Sequence, residues 1–291
     1  MCHKLRKLIN TAQVRNIEKA FEIASKEDKI HCLDEYRKAV DWIEASLDYY
    51  GDTDLKSRVI YWFTEVKRLE IESENKEYTP KEIGYMRSLR ELNLSLNRIQ
   101  EIPDTFQNLH DLKYLWLVSN KLSTLPDFWN SLHSLEELSI RNNYVEEIPN
   151  SLGCCKSLIK LDLRENLIKT IPNTFQALSK LEWLNLSNNN FAIAPSILAQ
   201  IKALKLLFLN DNGILDWEST IATLSKSSSL EGVDLSNCGL DYVPDSIKQL
   251  NSLKKVKLYG NPLNEEQQKR IQSLLPNCEV GFYRTSFIWQ V

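Results

Sequence analysis

From Leu89 to Asp111 the chain reads L-R-E-L-N-L-S-L-N-R-I-Q-E-I-P-D-T-F-Q-N-L-H-D, and equivalent segments begin at Leu112, Leu135, Leu158, Leu181, Leu204, Leu230 and Leu253. The starts lie 23 residues apart, except that Leu204 and Leu230 are separated by 26. A fixed spacing sustained over this many units means a stack of like pieces. Alternating residues such as Leu92 and Leu94 put apolar side chains on one face of a short strand. One unit cannot bury those leucines by itself, whereas stacked units bury them in a continuous core.

The ninth position of the units holds Asn97, Asn120, Asn143, Asn166, Asn189, Asn212, Cys238 and Asn261. It is a short polar side chain placed where the chain turns away from the strand. Pro103, Pro126, Pro149, Pro172, Pro195 and Pro244 then stop the strand and open an extended or single-turn segment on the opposite side. The shared pattern L-x-x-L-x-L-x-x-N-x-L-x-x-I-P resembles the leucine-rich-repeat superfamily, specifically its 23-residue class, strongly over about 89–282. The resemblance implies an α/β solenoid with a curved parallel sheet on its concave face. It also implies a ladder of asparagine amides that satisfies the turns, in which Cys238 is an accepted substitute.

Counting back 23 residues from Leu89 gives Val66, with Leu69 and Ile71 at core positions and Thr79-Pro80 where Ile-Pro is expected. This reads as a degenerate first repeat with Glu74 in place of the asparagine. Upstream, Leu33, Tyr36, Val40, Ile43, Leu47 and Tyr50 form a helical stripe that Gly51 would stop. Leu5, Leu8, Ile9, Ala12, Ala20, Phe21 and Ala24 outline an earlier helix. Leu55, Val59, Trp62, Phe63 and Val66 outline a later one, entered through Asp52-Thr53-Asp54. Residues 1–64 are therefore expected to be a three-helix N-terminal α-helical cap and 65–283 the solenoid, whose C-terminal cap spans about 261–283 with a helix near 265–275. The tail, 284–291, reads as packing on the last strand, with a translocation signal or a ligand for a peptide-binding domain as the alternatives.

With 36 Lys plus Arg against 39 Asp plus Glu and a net charge of -3, nothing favours a polyanion, so no nucleic acid is expected as partner. The basic start is interrupted by Asn10, Gln13 and Arg15 before a signal-peptide core forms, and no apolar run is long enough to span a membrane. The six cysteines lack the spacings of a disulfide framework or a zinc site and read as reduced thiols, Cys278 as a small buried hydrophobe. The expected location is cytoplasmic, or a host-cell cytosol if the chain is a bacterial effector. Asn93-Leu94-Ser95 and Asn185-Leu186-Ser187 then match the glycosylation pattern without meaning.

Chemistry is sparse. No glycine pattern cradles a phosphate, and His110 and His133 share one repeat position, which marks them as structural. Cys155 falls at a core position. Cys154 could be exposed but has only Lys156 beside it, and an activated thiolate needs more. Some bacterial repeat proteins are ubiquitin ligases with a large domain after the repeats, for which the nine residues after Phe282 leave no room. No cofactor and no metal are expected, and the chain reads as not an enzyme.

If the strands form a concave wall, positions three, five, seven and eight face solvent. Tyr114, Trp116 and Val118 share one strand, and Trp183, Leu206 and Phe208 form a second apolar group two to four strands away. Between them stand Glu137, Arg141, Lys160, Asp162, Arg164 and Glu165. Exposed aromatics mark partner sites, and mixed charges select a partner or merely pair across strands. The enlarged loop of the 26-residue unit, around Gly213 to Ile221 with Trp217, is expected to supply a rim contact. A sheet of about 45 Å, from strands about 4.8 Å apart, suits a folded protein better than a small ligand.

The reading is a monomeric protein-protein interaction module that binds a folded protein, for example an enzyme, on its concave face, away from membranes, and regulates or inhibits it. The alternatives are a signalling scaffold of the small-GTPase or phosphatase-linked repeat type, and an enzyme with a dispersed site around Cys154, Asp162 and Glu165.

Overall fold

The computed structural model describes residues 2–27, 29–47, 54–214, 216–250 and 252–284. The expected helix stop at Gly51, the Asp52-Thr53 entry and the tail from Thr285 onward lie outside them. The chain forms two compact units, the first comprising residues 1–122 and 131–135, the second 123–130 and 136–291.

In the first unit, helices α1 (Cys2–Ile9), α2 (Val14–Lys26), α3 (Asp34–Ser46) and α4 (Leu55–Ile60) precede the strands, with a 3-10 turn at Ile30–Leu33 and a π-helical turn at Tyr61–Glu65. The single early helix expected from the apolar stripe is two, because Ala12 takes a left-handed backbone (φ 51°) that no helix continues through. Asp54 caps α4, accepting the N–H groups of Lys56 and Ser57 at 2.9 and 3.2 Å. Tyr36, buried on α3, donates to Arg6 O (3.2 Å) and Asn10 Oδ1, fastening α1 down. The buried Glu44 carboxylate accepts Trp62 Nε1 (2.9 Å) and the Arg58 guanidinium. A disulfide joins Cys2 to Cys32 (Cα–Cα 4.9 Å), which corrects the reading of all six cysteines as thiols; Cys154, Cys155, Cys238 and Cys278 are free.

Strands β1 (Arg68–Glu70), β2 (Glu91–Asn93) and β3 (Tyr114–Trp116) follow in parallel, with Leu69 opposite Leu92 and Leu92 opposite Leu115. Ser88 Oγ donates to Thr64 O (2.8 Å), tying the π-helical turn to the following repeat. The second unit continues with β4 (Glu137–Ser139), β5 (Lys160–Asp162), β6 (Trp183–Asn185), β7 (Leu206–Phe208), β8 (Gly232–Asp234), β9 (Lys255–Lys257) and β10 (Glu279–Gly281), each parallel to the next. Most repeats return through a 3-10 turn after the proline. At Gly153 the return segments approach so closely that a Cβ would stand 2.4 Å from Thr174 Oγ1.

The three extra residues of the long unit build α5 (Trp217–Leu224), capped by Asp216 through Ser219 N–H (2.9 Å). The part of the enlarged loop expected at the rim that holds Trp217 is helical, and Trp217 itself is buried in the core. Helix α6 (Glu265–Leu274), opened by an Asn264–Gln267 capping box, precedes β10. Among the described residues no helix is long and apolar enough to cross a membrane.

The asparagines are multiply bonded, and all but the half-buried Asn261 are buried. Asn189 Oδ1 accepts Ile168 N–H (3.0 Å), while Nδ2 donates to Leu163 O (3.0 Å), Leu186 O (3.2 Å) and Ser187 O (3.1 Å). Asn97, Asn120, Asn166, Asn212 and Asn261 repeat this geometry, and Cys238 Sγ donates to Leu209 O (3.2 Å). Burial pushes the Cys238 thiol up to about 12. Glu74, at the equivalent position of the first repeat, is exposed and takes no such part. The residue before each of these positions is left-handed, including Leu96 (φ 56°), Ser119 (φ 55°), Glu165 (φ 56°) and Asp211 (φ 56°).

Asn189→Ala removes one amide that serves four backbone groups, and each orphaned group costs about 1–3 kcal/mol; urea unfolding is expected to show a loss of at least that size. Leu96→Asn places a residue tolerant of left-handed backbone at an exposed site. It is expected to stabilise by about 1 kcal/mol, read from the same urea midpoints.

Candidate protein-binding face

On the first unit, Tyr114 and Trp116 emerge from the same side of β3 and stack, ring centroids 5.7 Å apart and 12° from parallel. Both are half-buried, as is Val118 two residues on.

On the second unit the strands bring Trp183 opposite both Lys160 and Leu206, and Asn185 opposite Phe208. The Trp183 and Phe208 rings lie 5.2 Å apart at 46°, and Lys160 Nζ stands over the Trp183 ring at 5.1 Å. Trp183 and Leu206 are half-buried, but Phe208 is 8% exposed, which corrects its reading as a solvent-facing anchor. The same holds at position five for Ser139, Asp162, Asn185 and Asp234, which are also buried, while Asn93, Trp116 and Lys257 are half-buried. Neighbouring strands about 4.8 Å apart wall in a side chain that has one on either side. The indole N–H of Trp183 is buried without an acceptor among the described residues.

Position five has a local task that alternation alone does not reveal. Asn93 Oδ1 accepts Ser95 N–H (3.0 Å), Asp162 accepts Arg164 N–H (3.2 Å), Asn185 accepts Ser187 N–H (3.0 Å) and Asp234 accepts Ser236 N–H (3.0 Å). Each closes the chain just beyond its strand, so the two glycosylation-like asparagines are bound structural groups. Trp116 and Phe208 occupy the same position and have no acceptor to offer.

The charges on this face pair locally. Arg141 Nη2 meets Glu165 Oε1 at 2.9 Å, Arg164 Nε meets Asp162 Oδ2 at 3.2 Å, and Lys160 Nζ meets Glu137 Oε1 at 3.9 Å. Most are partly exposed and contribute little to stability. Burial raises the Asp162 carboxyl above the usual carboxylate range in spite of Arg164.

The cysteines offer no assembled nucleophile. Cys155 is buried, donates to Trp129 O (3.1 Å), and its thiol is pushed by burial to about 12. Cys154 is exposed. Cys278 is only partly buried, a correction to its reading as core, and burial lifts its thiol to about 11.

A sequence profile of the leucine rich repeat family matches residues 64–122, 87–145 and 133–191. With the parallel repeats described above, this supports a leucine-rich-repeat assignment over residues 64–191, and the fold is a leucine-rich-repeat solenoid with an N-terminal helical cap. Among solved structures, internalin C2 of Listeria monocytogenes is similar at 22% identity and a TM-score of 0.60, over 76% of this chain and 92% of that one. A leucine-rich-repeat protein of Leptospira interrogans aligns at 24% identity and a TM-score of 0.45, over 71% and 75%. No curated protein matches the sequence. The repeats support, in general terms, a protein-interaction module.

Asp162 titrates above an unfolded aspartate, so its folded state binds the proton more tightly and stability falls as pH rises through that titration. Asp162→Asn keeps the acceptor for Arg164 N–H, as Asn93 and Asn185 do in their own repeats. The variant is therefore expected to unfold at higher temperature than wild type at pH 7, with the gap closing as pH is lowered. Thermal melts across a pH series check this.

Proposed function

We propose that the protein binds a folded partner protein through the strand face of its repeats and regulates that partner by covering part of its surface. The observation that carries this reading is the Trp183, Leu206 and Phe208 cluster. The leucine core does not need these rings, and one of them occupies a position where other repeats place a turn-closing acceptor. Trp and Tyr flanked by charge are the commonest energetic anchors of protein interfaces. Tyr114, Trp116 and Val118 on the first unit supply a further contact. Glu137, Arg141, Lys160, Asp162 and Arg164 contribute selectivity more than affinity, because their pairs are already made or exposed.

Inhibition is the form of regulation this face suits best when the partner is an enzyme whose active site is the part covered. The location proposed is a cytosol, either the cell's own or that of a host.

The test passes cell lysate over immobilised wild type, Trp116→Ala, Trp183→Ala and Trp183→Ala/Leu206→Ser, after confirming that each variant melts within a few degrees of wild type. A single stoichiometric protein held by wild type and lost from the Trp183 variants is the expected result. Equal retention on all of them would overturn the reading.

A further inference from the structure

The residues gathered around Cys2 have no part in the repeat face. Cys2 is the first residue of α1, and His31 and Cys32 sit on the 3-10 turn Ile30–Leu33. The two Sγ atoms and an imidazole nitrogen all lie within 4.8 Å of one another, and Cys32 Sγ is 3.7 Å from His31 Nε2. Cys32 is buried, Cys2 half-buried and His31 exposed, so the group is anchored on one side and open to solvent on the other. A disulfide alone needs no imidazole beside its sulfur. Zinc held at about 2.3 Å by sulfur and about 2.0–2.1 Å by nitrogen, in a tetrahedron, sets an S–N edge of about 3.6 Å, close to the separation found here.

From this we infer that Cys2, Cys32 and His31 form a Zn2+ site when the two cysteines are reduced. Two thiolates and an imidazole are a borderline-soft donor set that suits zinc, and the open side leaves the fourth position to water. The disulfide and the metal are mutually exclusive forms. A dithiol reductant supplies two electrons and two protons, turning the Cys2–Cys32 bond into two thiols while itself becoming a disulfide. Zn2+ then displaces those two protons to bind the thiolates. The start of α1 assists, because a helix N-terminus favours the thiolate over the thiol. The scaffold does not depend on the sulfur bond alone: Leu5, Ile9 and Leu33 are buried nearby, Tyr36 holds α1 through Arg6 O, and Cys32 N–H donates to Lys29 O (2.9 Å).

The experiment titrates Co2+, a spectroscopic substitute for zinc, into the full chain under anaerobic conditions after phosphine reduction and gel filtration. The expected result is a thiolate-to-cobalt charge-transfer band saturating at one Co2+ per chain, bleached by added Zn2+. The oxidised protein should give none. Cys2→Ser and Cys32→Ser should each lose the band, while Cys154→Ser and Cys278→Ser should keep it. His31→Ala should keep a thiolate band but weaken affinity by at least about tenfold. Circular dichroism of each variant establishes that it is folded, and a rise in the melting temperature of reduced wild type on adding Zn2+ gives a second readout. No band in reduced wild type, or one that survives Cys2→Ser and Cys32→Ser, overturns the site; unchanged affinity in His31→Ala removes His31 from it.

Discussion

A backbone that turns sharply every 23 residues beside a dry leucine core must find partners for the N–H and C=O groups at each turn, and the inter-repeat backbone bonds that run on past the strands, such as Asn188 N–H to Asn210 O (2.9 Å), serve only some of them. The ninth-position asparagine solves this with one side chain. Asn189 closes its own turn through Leu186 O and Ser187 O, and reaches back to the preceding repeat through Ile168 N–H and Leu163 O. The amide is therefore as much an inter-repeat contact as the leucines are, and it fixes the stacking register that leucines alone would leave loose. The left-handed residue just before it follows from the same turn. Asn142, Asn188 and Asn237 accept that backbone easily, whereas Leu96 and Glu165 adopt it at a cost.

Where the ladder ends, other polar groups take over. Glu74 of the first repeat is exposed and offers no buried amide, and the helices before that repeat carry their own buried network, in which Glu44 binds Trp62 and Arg58 at once. A buried carboxylate is tolerable only with such partners. At the other end Asn261 serves Leu240 N–H and Leu235 O, and α6 begins soon after with both halves of a capping box satisfied.

The repeats were legible because period-two alternation and a 23-residue period are properties of the chain that tertiary contacts reinforce. The asparagine ladder was legible for the same reason, down to Cys238. Features that depend on what stands next to a residue in space were not. Nothing local in the stripe from Leu5 to Ala24 announces that Ala12 turns left-handed, although Thr11 is a weak helix former. Cys2 and Cys32 are separated by 30 residues, and cysteine spacing counts carry no information about a helix folded back on a turn. Trp217 read as loop because three inserted residues look like a longer loop; Asp216 with Ser219 three residues on was the signal for a helix cap.

The strand face shows the same divide, and its exceptions indicate where function was placed. Alternation places position five outward, but the Asn93, Asp162, Asn185 and Asp234 side chains fold back onto the N–H two residues on, so this position is part of the turn machinery. A residue there without an acceptor forgoes about 1 kcal/mol of hydrogen bonding. Phe208 offers no acceptor, while the Val118 N–H beyond Trp116 is taken instead by Ser95 Oγ (3.3 Å), and each ring meets another, Tyr114 at 5.7 Å and Trp183 at 5.2 Å. Ring contacts of this kind return a comparable amount, so aromatic pairs at these positions leave stability nearly unchanged. A repeat can thus exchange its turn-closing acceptor for an aromatic pair at little net cost to the fold, and gain a half-exposed apolar surface at Trp183 and Leu206 that the leucine core does not require. Local rules broken without loss of stability are where a binding surface can be built into a regular array.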